Sequence, residues 1–277
     1  MTRRLFVAST AALPILGQTP AERIVRKGRL KQTVARWCFS KIPYEDFCRE
    51  VYRLGMVGVD LVNVADWPIV QKSGLIVTCG LLSGNPGPLN RKESHDAYEK
   101  QFRDGIEKAA AAKVPNLVTH SGSRAGMSDQ EGLDNCVAGL TRIKPIAEDK
   151  GVTIVLELLN SKVNHPDYMA DRTAWGAELC KRVNSPRIKL LYDIYHMQVM
   201  EGDVIRTIRQ NIQYIGHFHT AGNPGRNEID ETQELNYRAI AQAVLDTGFT
   251  GYFGHEFTPK RLEPMKALAQ AVDICDV

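Results

Sequence analysis

The chain has 277 residues, is 43% hydrophobic and 24% charged, and carries a formal net charge of +3. That balance is ordinary for a globular protein and calls for neither nucleic acid nor a charged membrane surface. The length suits one α/β barrel, which typically runs to about 250 residues, and no Pro/Gly/Ser-rich linker or low-complexity tract divides it.

The N-terminus departs from the rest. Thr2-Arg3-Arg4-Leu5-Phe6-Val7 runs from a charge pair into an apolar stretch that ends at Leu16, and Thr19-Pro20-Ala21 follows as a small-residue cleavage candidate. The stretch is shorter than the roughly 20 apolar residues of a membrane span. Residues 1–21 resemble a twin-arginine export signal, so export to the periplasm is expected. A helix or arm packed on the barrel, in a cytoplasmic protein, is the alternative. Residues 22–277 are left as the folded domain.

From about residue 30 the chain reads as strand, then helix, repeatedly. Strands are expected at Lys31 to Trp37, Val57 to Val62, Leu75 to Cys79, Asn116 to His120, Val152 to Glu157, Ile188 to Asp193, Tyr214 to His219 and Tyr252 to Glu256. Most are continuous Val/Ile/Leu/Tyr runs, as expected of parallel strands covered by helices. Helices are expected at Tyr44 to Leu54, Ser94 to Ala112, Ser128 to Lys150, Tyr168 to Val183, Val204 to Asn211, Tyr237 to Thr247 and Leu262 to Ile274. Only Trp67 to Ser73 allows barely two turns. Pro43, Ser128 and Asp203 sit where helices begin, and Gly55, Gly151 and Gly248 just past where they end. The pattern predicts a single (β/α)₈ TIM barrel. An open doubly wound sheet is the competitor, but no Gly-x-Gly-x-x-Gly follows the first strand, and Gly84-Asn85-Pro86-Gly87 lacks the Lys-Ser/Thr of a phosphate loop. The six cysteines, with no Cys-x-x-Cys pair among them, read as buried thiols.

Four strands in the second half each deliver a potential metal ligand to the same end: Glu157, Asp193, His219 and Glu256. In a barrel that end is the reactive face. One carboxylate there is most simply a helix cap or a salt-bridge partner. Four on separate strands describe a site for one divalent ion. Three carboxylates and one imidazole suit Mn²⁺ or Mg²⁺ and tolerate Co²⁺ or Zn²⁺. Buried together without a cation, the carboxylates would repel one another.

Around these positions the segments become specific. Leu156-Glu157-Leu158-Leu159-Asn160, Tyr192-Asp193-Ile194-Tyr195-His196-Met197-Gln198, Ile215-Gly216-His217-Phe218-His219 with Pro224-Gly225-Arg226, and Gly254-His255-Glu256-Phe257 resemble the hydroxypyruvate isomerase family. That family sits among the xylose isomerase-like barrels, with ketose 3-epimerases and endonuclease IV. The likeness covers most of residues 110 to 260. It implies that Glu157, Asp193, His219 and Glu256 are metal ligands, that Glu157 and Glu256 are also the acid/base pair, and that His196 and Arg226 hold substrate oxygens. His219 departs from the pattern, because hydroxypyruvate isomerases often carry Gln there and the epimerases carry His.

The chemistry implied is isomerisation of a small hydroxycarbonyl compound by proton transfer through an enediolate, with hydroxypyruvate to tartronate semialdehyde as first choice. A substrate carboxylate would need a cation: Arg226 first, since a guanidinium grips a carboxylate bidentately, and Lys162 second. His120 is expected to face the site as a substrate contact or a structural histidine. Asn160 is expected to orient Glu157, touch substrate or stabilise its loop. His217 is expected to point away from the lumen, His95 and His165 to lie on the surface or in loops, and Trp37, Trp67 and Phe257 to form an apolar wall or simply to pack. Other readings are a ketose 3-epimerase or other sugar isomerase, an endonuclease IV-like phosphodiesterase, and a sugar-binding barrel without catalysis. The endonuclease would need three zinc ions, more strand-end histidines and a basic track. The expected partner is therefore a small molecule, with no nucleic acid and no stable membrane association. Barrels commonly pair through symmetric contacts, so a homo-oligomer stays open.

Overall fold

Eight aliphatic segments form parallel strands that hydrogen-bond in sequence order: β1 (Lys31–Ala35), β2 (Gly58–Asn63), β3 (Ile76–Leu81), β4 (Asn116–Thr119), β5 (Thr153–Glu157), β6 (Ile188–Asp193), β7 (Ile215–Thr220) and β8 (Tyr252–His255). β8 pairs back onto β1, with Val34 opposite His255, and closes the barrel. These features come from a computed structural model that describes residues 23–84 and 86–277. The expected export segment, residues 1–21, and Asn85 lie outside the described residues.

The helices are α1 (Tyr44–Leu54), α2 (Trp67–Lys72), α3 (His95–Ala111), α4 (Asp129–Lys150), α5 (Thr173–Val183), α6 (Ile194–Met200), α7 (Val204–Asn211), α8 (Tyr237–Asp246) and α9 (Pro264–Cys275). Their local logic follows the sequence. Ser128 caps α4 by accepting from the Glu131 amide at 3.2 Å. The same helix stops at Gly151, whose φ of 69° is open to glycine without a Cβ penalty.

Two elements differ from expectation. The segment from Tyr168 to Arg172 is not helical, because Tyr168 bridges to Ser123 while its hydroxyl donates to the Glu157 carbonyl at 2.9 Å and accepts from the Ser121 amide at 3.0 Å. This ties the loop after β5 to the loop after β4. The second difference is α6, a helix that starts directly at the end of β6. The Asp193 side chain caps it by accepting from the His196 amide at 3.1 Å.

Inside the barrel the filling is divided. Cys79, Val118, Val155 and Leu191, one from each of β3 to β6, form a small apolar cluster of their own. On the side of β1, β2 and β7, buried Thr33, Asp60, His217 and His219 stand instead. Two clamps hold the rims. The Asp276 carboxylate accepts from the amides of Arg26, Lys27 and Gly28 at 2.7, 2.8 and 2.9 Å, fastening the first described residues to the end of α9. Glu228 Oε1 accepts from the amides of Lys260, Arg261 and Leu262, joining the loops that follow β7 and β8.

Candidate metal centre

Glu157 ends β5, Asp193 ends β6, His219 lies next to the end of β7 and Glu256 follows β8. The barrel brings one ligand atom of each to within 4.8 Å of the others, and all four residues are buried. The four residues singled out in the sequence thus come together, and the strand pairing explains why. Asp193 is in register with His219, and Glu256 donates its amide to the Thr220 carbonyl at 2.9 Å.

Each side chain divides its atoms between the cluster and a support. Asp193 spends Oδ1 on the α6 cap, while Oδ2 is buried with no hydrogen-bond partner and lies 3.7 Å from Arg226 Nη2. Glu157 accepts from His120 Nε2 through Oε2 at 3.0 Å, and its Oε1 stands 3.7 Å from His219 Nδ1. Glu256 accepts from Trp37 Nε1 through Oε1 at 2.6 Å and from Arg226 Nη2 through Oε2 at 2.7 Å. His219 Nδ1 stands 3.0 Å from Glu256 Oε2, yet neither of its ring nitrogens has a properly formed hydrogen bond.

The charges in this cluster strain against one another. Burial pushes the Asp193 carboxyl far up; Arg226 and His219 pull it down and the Glu256 and Glu157 charges push it up again. Burial would also raise Glu157 and Glu256, but His120 and His219 hold Glu157 well below the usual carboxylate range, and His219 and Arg226 do so for Glu256. Asp193 Oδ2 and His219 Nδ1, buried without partners beside oxygens of Glu157 and Glu256, complete a donor set of three carboxylates and an imidazole that suits a divalent cation. The residues fit one.

The substrate-binding expectations divide. Arg226, in the loop after β7, reaches the cluster and sits 5.2 Å from the Trp37 ring centre. Its Nε is buried and unpartnered. His120 faces the site, half-exposed, with its imidazole on Glu157. Burial would lower its pKa, but the Glu157 carboxylate outweighs that and raises it. His196 is buried and keeps Nε2 unpartnered, 3.7 Å from Asp193 Oδ2. Its Nδ1 accepts from the Asn160 side-chain amide at 2.6 Å and the Asn160 backbone amide at 3.2 Å. That assigns the ring proton to Nε2. Burial chiefly, with the Arg226 charge, drives this imidazole down to about 3, so it is neutral.

The structure decides several further expectations: some need correction, while the loop position of His165 and the packing of Trp67 and Phe257 are as expected. Asn160 orients His196, not Glu157, and stabilises its loop by accepting from the amides of Val163 and Asn164 at 3.0 and 2.8 Å. Lys162 is turned away from the cluster: its ammonium donates to the carbonyls of Val199 and Met200 at the end of α6, where the helix dipole favours a cation. His217 faces inward, 3.2 Å from Asp60 Oδ2, because residues two apart on a strand share a face and His219 already points in. His95 is buried against the Leu89 carbonyl at 2.9 Å, and His165 lines the cleft. Trp67 and Phe257 pack away from the site: the Trp67 indole donates to the Val62 carbonyl, and Phe257 stands edge-on to Phe39.

One residue of the site, Asp60, was missed, as was the polar role of another, Trp37, which was expected only as a wall or as packing. Trp37, beyond the end of β1, holds a carboxylate as well as forming a wall; an indole N–H at the reactive rim was the available signal. Asp60 lies inside β2, and a charge within a buried apolar run was the clue. The cleft above the cluster has a volume of about 560 Å³, with Trp37, Tyr44, Asp66, His120 and Arg226 among its lining. A neighbouring cavity of about 450 Å³ shares Leu81 and His120 with it.

Comparison with known proteins agrees with the barrel fold. Residues 69–276 match the family described as xylose isomerase-like TIM barrel. A putative hydroxypyruvate isomerase of Xenopus laevis is 26% identical over 250 residues, covering 81% of this chain and 88% of that protein. A 2-oxo-tetronate isomerase of Cupriavidus necator is 36% identical over 114 residues, covering 41% of this chain and 43% of the relative. Among solved structures, an AP endonuclease, family 2, from Brucella melitensis superposes with a TM-score of 0.79 at 23% identity, covering 87% of this chain and 98% of its own. That last likeness speaks for the fold alone.

Proposed function

The chain belongs to the xylose isomerase-like TIM barrel family, and from its site we propose that it is a metal-dependent isomerase of small hydroxycarbonyl compounds. One observation carries this reading. Two glutamates, three strands apart on the rim, each place one oxygen in the ligand cluster and rest the other on a residue lining the cleft: Glu157 on His120 and Glu256 on Trp37. A carbon held between them would have a proton acceptor on either side.

The reaction moves a proton from the carbon beside a carbonyl to the neighbouring carbon, or to the opposite face of the same carbon. A divalent ion held by Glu157, Asp193, His219 and Glu256 would supply Lewis-acid polarisation of the carbonyl and hydroxyl oxygens. Both glutamates are held ionised by their neighbours, so either can accept the proton. The glutamate that took the proton returns it to the neighbouring carbon as the enediolate collapses, while the hydroxyl proton passes between the two substrate oxygens; inversion at the same carbon instead requires the far glutamate to deliver a proton taken up from solvent. Half-exposed His120 gives the Glu157 carboxyl an exchange route to solvent. His196 offers its Nε2 proton to a substrate oxygen, and Arg226 offers its spare Nε–H to an anionic group.

Hydroxypyruvate, converted to tartronate semialdehyde, is the favoured substrate, supported by the relatives named hydroxypyruvate isomerase and by a guanidinium at the cluster. The runner-up is a ketose 3-epimerase, which His219 favours. The oxygen-rich donor set favours Mn²⁺ or Mg²⁺. For residues 1–21, outside the described structure, we retain export as the proposal.

Deuterium uptake tests the reading. Mn²⁺-loaded protein in D₂O should label the carbons beside the carbonyl of hydroxypyruvate or of a tetrose, pentose or hexose ketose. Glu157→Gln and Glu256→Gln should each slow labelling by roughly 10² to 10⁴-fold. Binding of these compounds without any exchange would leave a sugar-binding barrel in place of an isomerase.

A further inference from the structure

Asp60 is fully buried in the middle of β2, where an unpartnered carboxylate would be very costly. Its oxygens are occupied. Thr33 Oγ1 donates to Oδ2 at 2.5 Å and Thr78 Oγ1 donates to Oδ1. His217 Nε2 lies 3.2 Å and His219 Nε2 lies 3.6 Å from Oδ2. The threonine hydroxyls take one acceptor position on each oxygen and both imidazoles crowd Oδ2 without closing a hydrogen bond, so a second ion held by Asp60, His217 and His219 would have to displace Thr33 from Oδ2.

The surrounding backbone is bent to this arrangement. The pairing of β2 with β3 shifts register on both sides of Asp60, and Leu61 adopts a φ of 54°, a conformation unfavourable for a leucine. On β8, between β7 and β1, a Cβ on Gly254 would come within 2.2 Å of Asp60 Oδ2 and 2.8 Å of His219 Cδ2. Only glycine lets the carboxylate and the imidazole approach there.

The structure assigns Asp60 as the positioning residue of His219, holding the ring so that Nδ1 faces the ligand cluster and Nε2 keeps the proton; this rests on the metal site proposed above. His219 presents its two edges to different neighbours, Nδ1 to Glu256 at 3.0 Å and Nε2 to Asp60. At 3.6 Å the second contact is an ion-pair distance and not a closed hydrogen bond. Nε2 has no hydrogen-bond partner, and the carboxylate is the acceptor that faces it. The ring of His217, edge-on to His219 at 5.1 Å, blocks rotation of the imidazole. A ligand imidazole whose far N–H meets a carboxylate is oriented and made more basic toward the ion.

Titration of metal-free protein with Mn²⁺ in a calorimeter, and of the same samples with Co²⁺ followed by its visible absorption, tests the role. Asp60→Asn keeps the volume and an acceptor oxygen but removes the charge. It should weaken Mn²⁺ binding by roughly 10 to 100-fold and shift the Co²⁺ bands, while the far-ultraviolet circular dichroism stays as in wild type. Thr33→Val, which strips a donor from Asp60, should weaken binding in the same direction, and Thr33→Ser should restore it. Wild-type affinity to within about twofold and unchanged Co²⁺ bands in Asp60→Asn would overturn the assignment while leaving the metal site intact. If Asp60→Asn fails to fold, equal affinities for Thr33→Val and Thr33→Ser would overturn it instead. A wild-type chain that binds neither ion would remove the metal reading and this one together.

Discussion

Asp193→Asn should strengthen the metal-free protein and remove its response to metal. Asparagine keeps the side-chain size and an oxygen to cap the His196 amide, but deletes one of three carboxylates whose ligand atoms lie within 4.8 Å. Like charges at about 4 Å repel by roughly 4 kcal/mol at an effective dielectric near 20, and Arg226 and His219 offset part of that. Burial, with Glu256 and Glu157, lifts the Asp193 carboxyl to about 7 in the metal-free fold. Against an unfolded value near 4 this sets an upper bound of about 4 kcal/mol. The sign follows from the upward shift. A carboxyl raised on folding leaves stability intact below about pH 4 and erodes it as the pH climbs toward 7. Urea unfolding of chelator-treated protein should therefore show Asp193→Asn more stable than wild type by about 2 kcal/mol at pH 8, with the gain vanishing near pH 4. Adding Mn²⁺ at about one hundred times its dissociation constant should stabilise wild type by about 2.7 kcal/mol, reversing the order. A metal-free variant weaker than wild type at pH 8, or one that Mn²⁺ stabilises equally, would refute the reasoning.

Other perturbations separate the site from its supports. Trp37→Phe keeps a wall on the cleft but removes the N–H on Glu256; deuterium exchange should fall about tenfold while Mn²⁺ affinity holds, and a parallel loss of affinity would show that the indole serves the ligand set instead. Asp276→Ala abandons three backbone amides and should cost about 2 kcal/mol at pH 7, measured by urea unfolding. Those amides hold the Asp276 carboxyl below its ordinary range. The wild-type advantage should therefore shrink as the pH falls below about 4, and an advantage that persists at pH 2 would exclude the clamp as its source. If residues 1–21 direct export, fractionation of the native host should place the protein in the periplasm, and replacing Arg3 and Arg4 by lysine should retain it in the cytoplasm. Wild-type protein found wholly in the cytoplasm would end that proposal.

The strand-end cluster was legible because a parallel barrel leaves few places for a charge. A strand covered by helices on one side and filling the lumen on the other is mostly apolar, as β5 and β6 are, so a carboxylate at its end marks the rim. β6 begins and ends where expected, at Ile188 and Asp193, and β5 ends at Glu157 as expected. α6 escaped the reading because Asp193 does two things at once, capping the helix through one oxygen while the other faces the cluster. The turn after β5 escaped for a different reason. What keeps Tyr168 out of a helix is its hydroxyl's grip on the chain at Ser121 and Glu157, contacts that no local propensity encodes. Lys162 shows the same limit from the other side: a long cation near a site in sequence found nearer partners at a helix end.

Asp60 shows what the divided lumen is for. The half of the barrel built by β3 to β6 is filled by Cys79, Val118, Val155 and Leu191, which require no partners. Filling the other half with a carboxylate and two imidazoles demands threonine hydroxyls, a left-handed leucine and a bare glycine to accommodate them. An apolar replacement of the same volume would be at least as stable, since buried ionic groups rarely gain more from pairing than they lose in leaving water. The polar half therefore has no explanation in stability. It lies directly behind His219, the one member of the proposed ligand set whose binding nitrogen would be set by a proton on its far edge, whereas Glu157, Asp193 and Glu256 need no tautomer chosen for them. The carboxylate ligands are served from the rim by His120, Trp37 and the α6 amide. The imidazole is served from inside the barrel by a residue of β2, and that is why the motifs around the strand ends, where His120 and Trp37 stand, do not include Asp60.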